Sequence, residues 1–180
     1  MSQCIFCQNV HQDETVEHII PRSLGNLHYI LPKGEVCGRC NNRFAKYEHR
    51  VLNSDIFLQE RKRLNLLRPN NQVTPHHLEA ESLHPFLLKM GYEAIYRSRK
   101  KLWREFDFEI VRAMLVKGKT SPLLSDNDLS NVVQSKSIPH WLNTFRLGRN
   151  HLRLLYSRTA DDRLFVHFQF AAIKAKVRMV

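Results

Sequence analysis

Cys4-Ile5-Phe6-Cys7, Glu17-His18-Ile19-Ile20-Pro21 and Cys37-Gly38-Arg39-Cys40-Asn41 are the stretches that decide how this chain folds. The two C-x-x-C pairs hold all four cysteines of the 180-residue sequence, with 29 residues between Cys7 and Cys37. Two such turns can hold one tetrahedral zinc through four thiolates. Four thiolates close the coordination shell, so this zinc is expected to be structural and not catalytic. The staple draws together Glu17, His18 and Asn41, residues far apart in sequence. A carboxylate, an imidazole and an amide at one place suggest a second, catalytic metal site beside the structural one.

Other readings of the cysteines fit less well. The chain starts Met1-Ser2-Gln3-Cys4, with neither a basic n-region nor an apolar h-region. A cytoplasmic protein is therefore expected, in a compartment where disulfides are rare. A thioredoxin-like site uses one C-x-x-C in a βαβ context, and here there are two. Hydrophobic residues make up 43% of the chain, enough for a packed core. No uninterrupted apolar run approaches the about 20 residues of a membrane span.

The formal charge of +11 suggests a polyanionic partner, and the charge is unevenly placed. Residues 1–50 carry six Lys and Arg against five Asp and Glu, whereas residues 51–180 carry 22 against 12. The motif region is nearly neutral and the remainder supplies the field. That division suits a cutting module joined to a region that holds a phosphate backbone.

Thr15–Ile20 reads as a short strand rich in β-branched residues, which Pro21 should end. Gly25-Asn26 and Pro32-Lys33-Gly34 mark a loop over residues 22–34. A helix is expected from about Arg39 to Leu52, where Phe44, Tyr47, Val51 and Leu52 form an apolar stripe. A second should start at Asn53-Ser54-Asp55 and run to about Leu67. Arg68 to Pro75 reads as a linker or long loop. Pro85 suits the first turn of a helix ending near Arg97, and another is expected over Phe106–Val116, closed by Gly118. Residues 119–140 read as irregular. Leu152–Arg158 and Arg163–Phe170 read as a hairpin, with a possible third strand over Ile173–Val180.

The ordered elements C-x-x-C, Glu17-His18, the basic loop Pro21-Arg22-Ser23-Leu24-Gly25 and C-x-x-C-Asn41 resemble the HNH endonuclease superfamily, the ββα-metal or His-Me finger nucleases. The match is to its four-cysteine zinc branch and is similar to phage endonuclease VII in the motif region. It covers about residues 4–52. The resemblance implies that His18 is the general base and that Glu17 and Asn41 ligate one catalytic divalent cation, Mg²⁺ or Mn²⁺. It implies that Cys4, Cys7, Cys37 and Cys40 hold the Zn²⁺. The middle asparagine of the pattern usually lies just before the second cysteine pair. Here Pro32-Lys33-Gly34-Glu35-Val36 has none, and the nearest candidate, Asn26, stands at the wrong position for it. Some relatives add a histidine ligand one turn after Asn41, where this chain has Ala45.

The chemistry of the residues agrees. A histidine near its ordinary pKa of about 6.5 can accept a proton from water, and hard cations take oxygen ligands and substrate phosphate. Arg22, Arg39 and Arg43 are candidate phosphate contacts, as are Arg99, Lys100 and Lys101 in the basic run Arg97–Arg104. Trp103 could stack on a base or pack in the core. Arg61-Lys62-Arg63 is a further basic cluster.

The expected architecture is α+β. A zinc-stapled ββα-metal module spans residues 1–67. Residues 68–180 follow as a basic region of helices and a small C-terminal antiparallel hairpin or sheet, suited to nucleic-acid or partner binding. The expected activity is metal-dependent hydrolysis of DNA phosphodiester bonds. The alternatives are a non-catalytic zinc-held nucleic-acid-binding module, or the nuclease subunit of a phage-defence assembly. Nucleic acid, DNA foremost, is the expected partner, with no membrane; a protein partner or homo-oligomer stays open.

Overall fold

The computed structural model describes residues 1–67, 73–118, 133–134 and 151–180. Among these, the fold is α+β: an N-terminal cysteine-rich unit, five α-helices and an antiparallel sheet. The chain opens with a two-strand ribbon, β1 (Ser2–Gln3) and β2 (Val10–His11), that encloses the first C-x-x-C. The turn between them is closed by Cys4 N–H to the Asn9 carbonyl (3.0 Å) and Gln8 N–H to the Cys4 carbonyl (2.9 Å). Gln8 takes a positive φ of 61° there.

The strand expected over Thr15–Ile20 is reduced to one antiparallel bridge between His18 and Ile30. Leu31 N–H to the Glu17 carbonyl (2.9 Å) and Ile19 N–H to the Tyr29 carbonyl (3.2 Å) flank it. The ladder goes no further because a side chain replaces it. Asn26 Nδ2 donates to the carbonyls of Ile20 (2.5 Å) and Tyr29 (3.0 Å), while its Oδ1 accepts from Tyr29 N–H (2.9 Å). The sequence places Pro21 directly after, so no backbone donor is available to continue the pairing.

The hairpin leads into α1 (Gly38–Leu52), which buries Cys40, Phe44, Val51 and Leu52. The next helix, α2 (Asp55–Arg63), begins where the Asn53-Ser54-Asp55 break places it. It ends four residues before Leu67, where Asn65 turns with φ 54°. The third, α3 (Ala80–Ser98), starts before Pro85, so the proline sits inside the helix and not in its first turn. Helical bonding begins with Leu83 N–H to the Glu79 carbonyl, and the proline removes one bond just beyond that point. Burial explains why the helix tolerates it: twelve of its nineteen residues are buried.

A short helix, α4 (Lys100–Glu105), occupies the basic run, which carries too few apolar residues to signal a helix by periodicity. The fifth, α5 (Glu109–Lys117), starts three residues later than expected and closes on Gly118, whose left-handed φ of 67° lets its N–H reach the Met114 carbonyl (2.9 Å).

The sheet has the order β3 (Val133–Gln134), β6 (Ile173–Arg178), β5 (Leu164–Phe170), β4 (Leu152–Arg158), all antiparallel. In β5 five of seven residues are buried, which accounts for its imperfect alternation; β6 alternates buried and exposed along Ile173-Lys174-Ala175-Lys176-Val177. The helix α3 is the spine, touching α1, α4, α5, β5 and β6. Gly91 permits that closeness, since a Cβ there would lie 2.8 Å from Val166 Cγ2 and 2.9 Å from Met179 Sδ. One buried cluster runs from Cys4 to Met179. No helix among the described residues is long and apolar enough to cross a membrane. The linker expected over Arg68–Pro75 and the irregular stretch 119–140 lie largely outside the described residues.

Candidate metal and active site

The four cysteines converge. Their sulfurs all lie within 4.8 Å of one another, and they are the one such convergence of three or more His, Cys, Asp or Glu ligand atoms among the described residues. Cys7 Sγ and Cys37 Sγ are 3.7 Å apart. A tetrahedron with Zn–S bonds of about 2.3 Å has edges of about 3.8 Å, so the donor set fits zinc. The Cys37 N–H points at Cys4 Sγ (3.4 Å), a contact that favours a thiolate. The Cys4 thiol is pulled down to about 4, chiefly by its hydrogen bond with Cys40.

His18 follows Glu17 on the chain segment that pairs with Ile30. The imidazole is half-buried, and its Nδ1 is enclosed with no hydrogen-bond partner. Burial lowers its pKa, and the positive charges of Arg22 and Lys89 lower it further. All three causes favour the neutral ring, the form that can accept a proton. Arg22 is exposed on the 3₁₀ turn Arg22–Leu24, which Gly25 closes with φ 87°.

Glu17 points inward and is 5% exposed. Its Oε1 accepts a hydrogen bond from Lys89 of α3, a partner that no pattern in the sequence announced. Burial pushes the Glu17 carboxyl up, against the opposing pull of the Lys89 ammonium. The same ammonium donates to Glu48 Oε1 (2.8 Å) and to the His18 carbonyl (3.0 Å), and lies 3.3 Å from Glu93 Oε2. Burial works against the Lys89 charge, but Glu93, Glu48 and Glu17 together hold its pKa above the ordinary lysine range. Burial raises the Glu93 carboxyl well above its usual range.

Asn41 lies half-buried in the first turn of α1, next to Cys40. Ala45, one turn on, is exposed. Oxygen donors from Glu17 and Asn41 suit a hard divalent cation, and Glu48 adds a carboxylate on the Asn41 face of α1. Asn26, off the expected position, is 8% exposed and does bridge the loop, through the three bonds described above.

The basic candidates fall on two surfaces. Arg39 and Arg43 line an open groove of about 590 Å³ along α1 with Asn42, Lys46, Tyr47 and Arg50. Arg43 also donates to the Val116 carbonyl. The helical spacing of Arg39, Arg43, Lys46 and Arg50 places them on one stripe, and no acidic residue lines the groove. Arg99, Lys100 and Lys101 sit exposed at the α3–α4 junction. There Lys100 lies over the Tyr96 ring (3.7 Å), Arg99 over Tyr156 (5.1 Å) and Lys101 against Glu105 (3.7 Å). Tyr29 Oη meets Ser98 Oγ at 2.9 Å, which brings this junction to the back of the His18 hairpin. Trp103 packs among Tyr92, Tyr96 and Phe108, at 4.7 to 5.3 Å between centroids, as a structural aromatic. Arg61 is also structural: it is 6% exposed and donates to the carbonyls of Leu52 (2.9 Å) and Ser23 (3.2 Å).

No curated protein and no solved structure gives a significant match to the chain. Its cysteine-rich segment, residues 4–54, matches the family model described as HNH endonuclease.

Proposed function

We propose that this protein is a metal-dependent HNH endonuclease that hydrolyses phosphodiester bonds in DNA. The observation that carries the reading is His18. Its neutral form is favoured, its ring is only half-buried, and it lies in the segment that matches the HNH endonuclease model. His18 takes a proton from the attacking water. The exposed Arg22 guanidinium, whose charge reaches His18, can pair with a phosphate oxygen and offset charge developing there. Glu17 and Asn41 would hold Mg²⁺ or Mn²⁺, which when bound supplies charge neutralisation at the scissile phosphate. By the same resemblance, the ends left are 5′-phosphate and 3′-hydroxyl.

The basic surfaces of α1 and of the α3–α4 junction support a nucleic-acid substrate, since clustered Lys and Arg hold phosphates without reading sequence. The second reading is a zinc-held nucleic-acid-binding module without catalysis. The ion pair of Glu17 with Lys89 favours it, because it engages one oxygen of the expected ligand. The deciding experiment incubates purified protein with supercoiled plasmid and Mg²⁺, Mn²⁺ or EDTA. Metal-dependent nicking that disappears in His18→Ala supports the nuclease; binding without cleavage of any DNA or RNA supports the module.

A further inference from the structure

Lys89 lies on α3, outside the segment matched by the family model, and is 1% exposed. An ammonium has three protons to donate. Here its hydrogen bonds go to Glu17 Oε1, Glu48 Oε1 and the His18 carbonyl, with Glu93 Oε2 a fourth acceptor 3.3 Å away. One side chain therefore grips the expected cation ligand, a second carboxylate and the backbone of the expected base. Stability alone gives little reason for this, since buried ion pairs are often no more stabilising than apolar side chains of the same volume.

The geometry around Glu48 gives a reason. Glu48 follows Asn41 by seven residues, so the two share one face of α1. Helical side chains lean toward the N-terminus, which carries the Glu48 carboxylate back over the turn of Ala45. Glu17 and Glu48 set two carboxylates against one ammonium, with Glu93 as a third acid on it, and an excess of acidic oxygens is what a divalent cation requires.

Resting on the nuclease reading above, we propose that Lys89 is a positioning residue for the catalytic cation. It gathers Glu17 and Glu48 into a two-carboxylate face, with Glu48 as a third oxygen donor beside Glu17 and Asn41. A hydrogen-bonded partner behind a ligating carboxylate fixes its orientation, and losing such a partner typically costs about 10–100-fold in metal affinity.

The test is Mn²⁺ binding by the zinc-loaded full chain, measured by titration calorimetry without nucleic acid, alongside DNA binding with no Mn²⁺ or Mg²⁺ added. Lys89→Met and Glu48→Gln should each weaken Mn²⁺ binding by about 10–100-fold. Zinc content and DNA affinity without added Mn²⁺ should stay at wild-type values, because Lys89 is enclosed at 1% exposure. Lys89→Met strands buried carboxylates and can unfold the chain, so Lys89→Met/Glu93→Gln is the paired variant that removes a buried acid with the base. Glu48→Gln leaves the Lys89 contact with Glu17 in place. Mn²⁺ binding that is unchanged in folded variants overturns the proposal. Tighter binding overturns it too, and would mean that the ammonium competes with the cation. If wild type binds Mn²⁺ and cuts while the variants bind it equally well, the positioning role alone falls. If wild type binds no Mn²⁺, the cation reading falls with it.

Discussion

The ring of Phe6, between the first two cysteines, stacks on that of Tyr92 in α3, with centroids 4.8 Å apart. Tyr92 also donates its hydroxyl to the Ile5 carbonyl (2.7 Å), so the cysteine turn is seated directly on the central helix. Tyr92→Ala should destabilise the protein by about 3–5 kcal/mol, the usual cost of deleting a buried aromatic. Tyr92→Phe, which loses only the hydroxyl, should cost about 1 kcal/mol plus the penalty of leaving the Ile5 carbonyl unpaired. Chemical denaturation of both variants checks the pair of values. Equal, small losses would show that the stack carries little.

The four cysteine sulfurs converge at that turn, in an arrangement that fits zinc. Purified protein should contain close to one zinc per chain, and Cys37→Ser should lose it and unfold the N-terminal unit, because metal binding and folding are coupled at such sites. Elemental analysis with circular dichroism measures both. A folded, active Cys37→Ser protein without zinc would rule the site out.

For His18, the depressed pKa fixes the sign of a pH effect. With His18 as the proposed base the neutral ring is the form that acts, so activity should be complete above the folded pKa and fall as pH drops through it. That acid limb should lie below the ordinary value of about 6.5. Arg22→Ala removes one of the lowering charges and should move the limb upward. His18→Ala should cost about 10²–10⁴-fold in cleavage while sparing zinc content and DNA binding. Asn41→Ala should also lose activity, with partial recovery at high Mn²⁺. Cleavage against pH at matched metal reads all four proteins; a His18→Ala protein that cuts as well as wild type would remove His18 from the mechanism.

The two basic surfaces can be separated. Replacing Arg39, Lys46 and Arg50 with Ala should weaken DNA binding and flatten its dependence on salt, by about 0.9 in log–log slope for each phosphate that is no longer neutralised. The triple change at Arg99, Lys100 and Lys101 should have the smaller effect, since each of these already lies against an aromatic ring or a carboxylate. Binding isotherms at several salt concentrations compare them. A larger loss of affinity from the Arg99 cluster would place the main phosphate track at the α3–α4 junction.

Gly91→Ala tests the packing of α3 on the sheet. The added methyl would meet Val166 and Met179 at 2.8 and 2.9 Å. Overpacking of this kind typically costs about 1–3 kcal/mol, even though alanine is the better helix former. A thermal melt at or above the wild-type midpoint would show that the sheet yields at little cost.

Features with a local signal were legible in the sequence. C-x-x-C spacing brought four sulfurs to one point, helical periodicity located α1, and strand composition located β4, β5 and β6. Glu17, His18 and Asn41 stood out as well, because their chemistry can be read without coordinates. What these residues touch was set by packing alone. Nothing in a pattern of spacing pairs Glu17 with a lysine 72 positions away, because Lys89 is one of several polar residues in its helix, with Glu81, His84, Glu93 and Arg97. The bridging role of Asn26 was equally hidden, since it depends on carbonyls of Ile20 and Tyr29 that face each other only once the hairpin closes. Long-range ion pairs and side-chain bridges follow from how elements pack, and packing brings together residues that no short window of sequence contains.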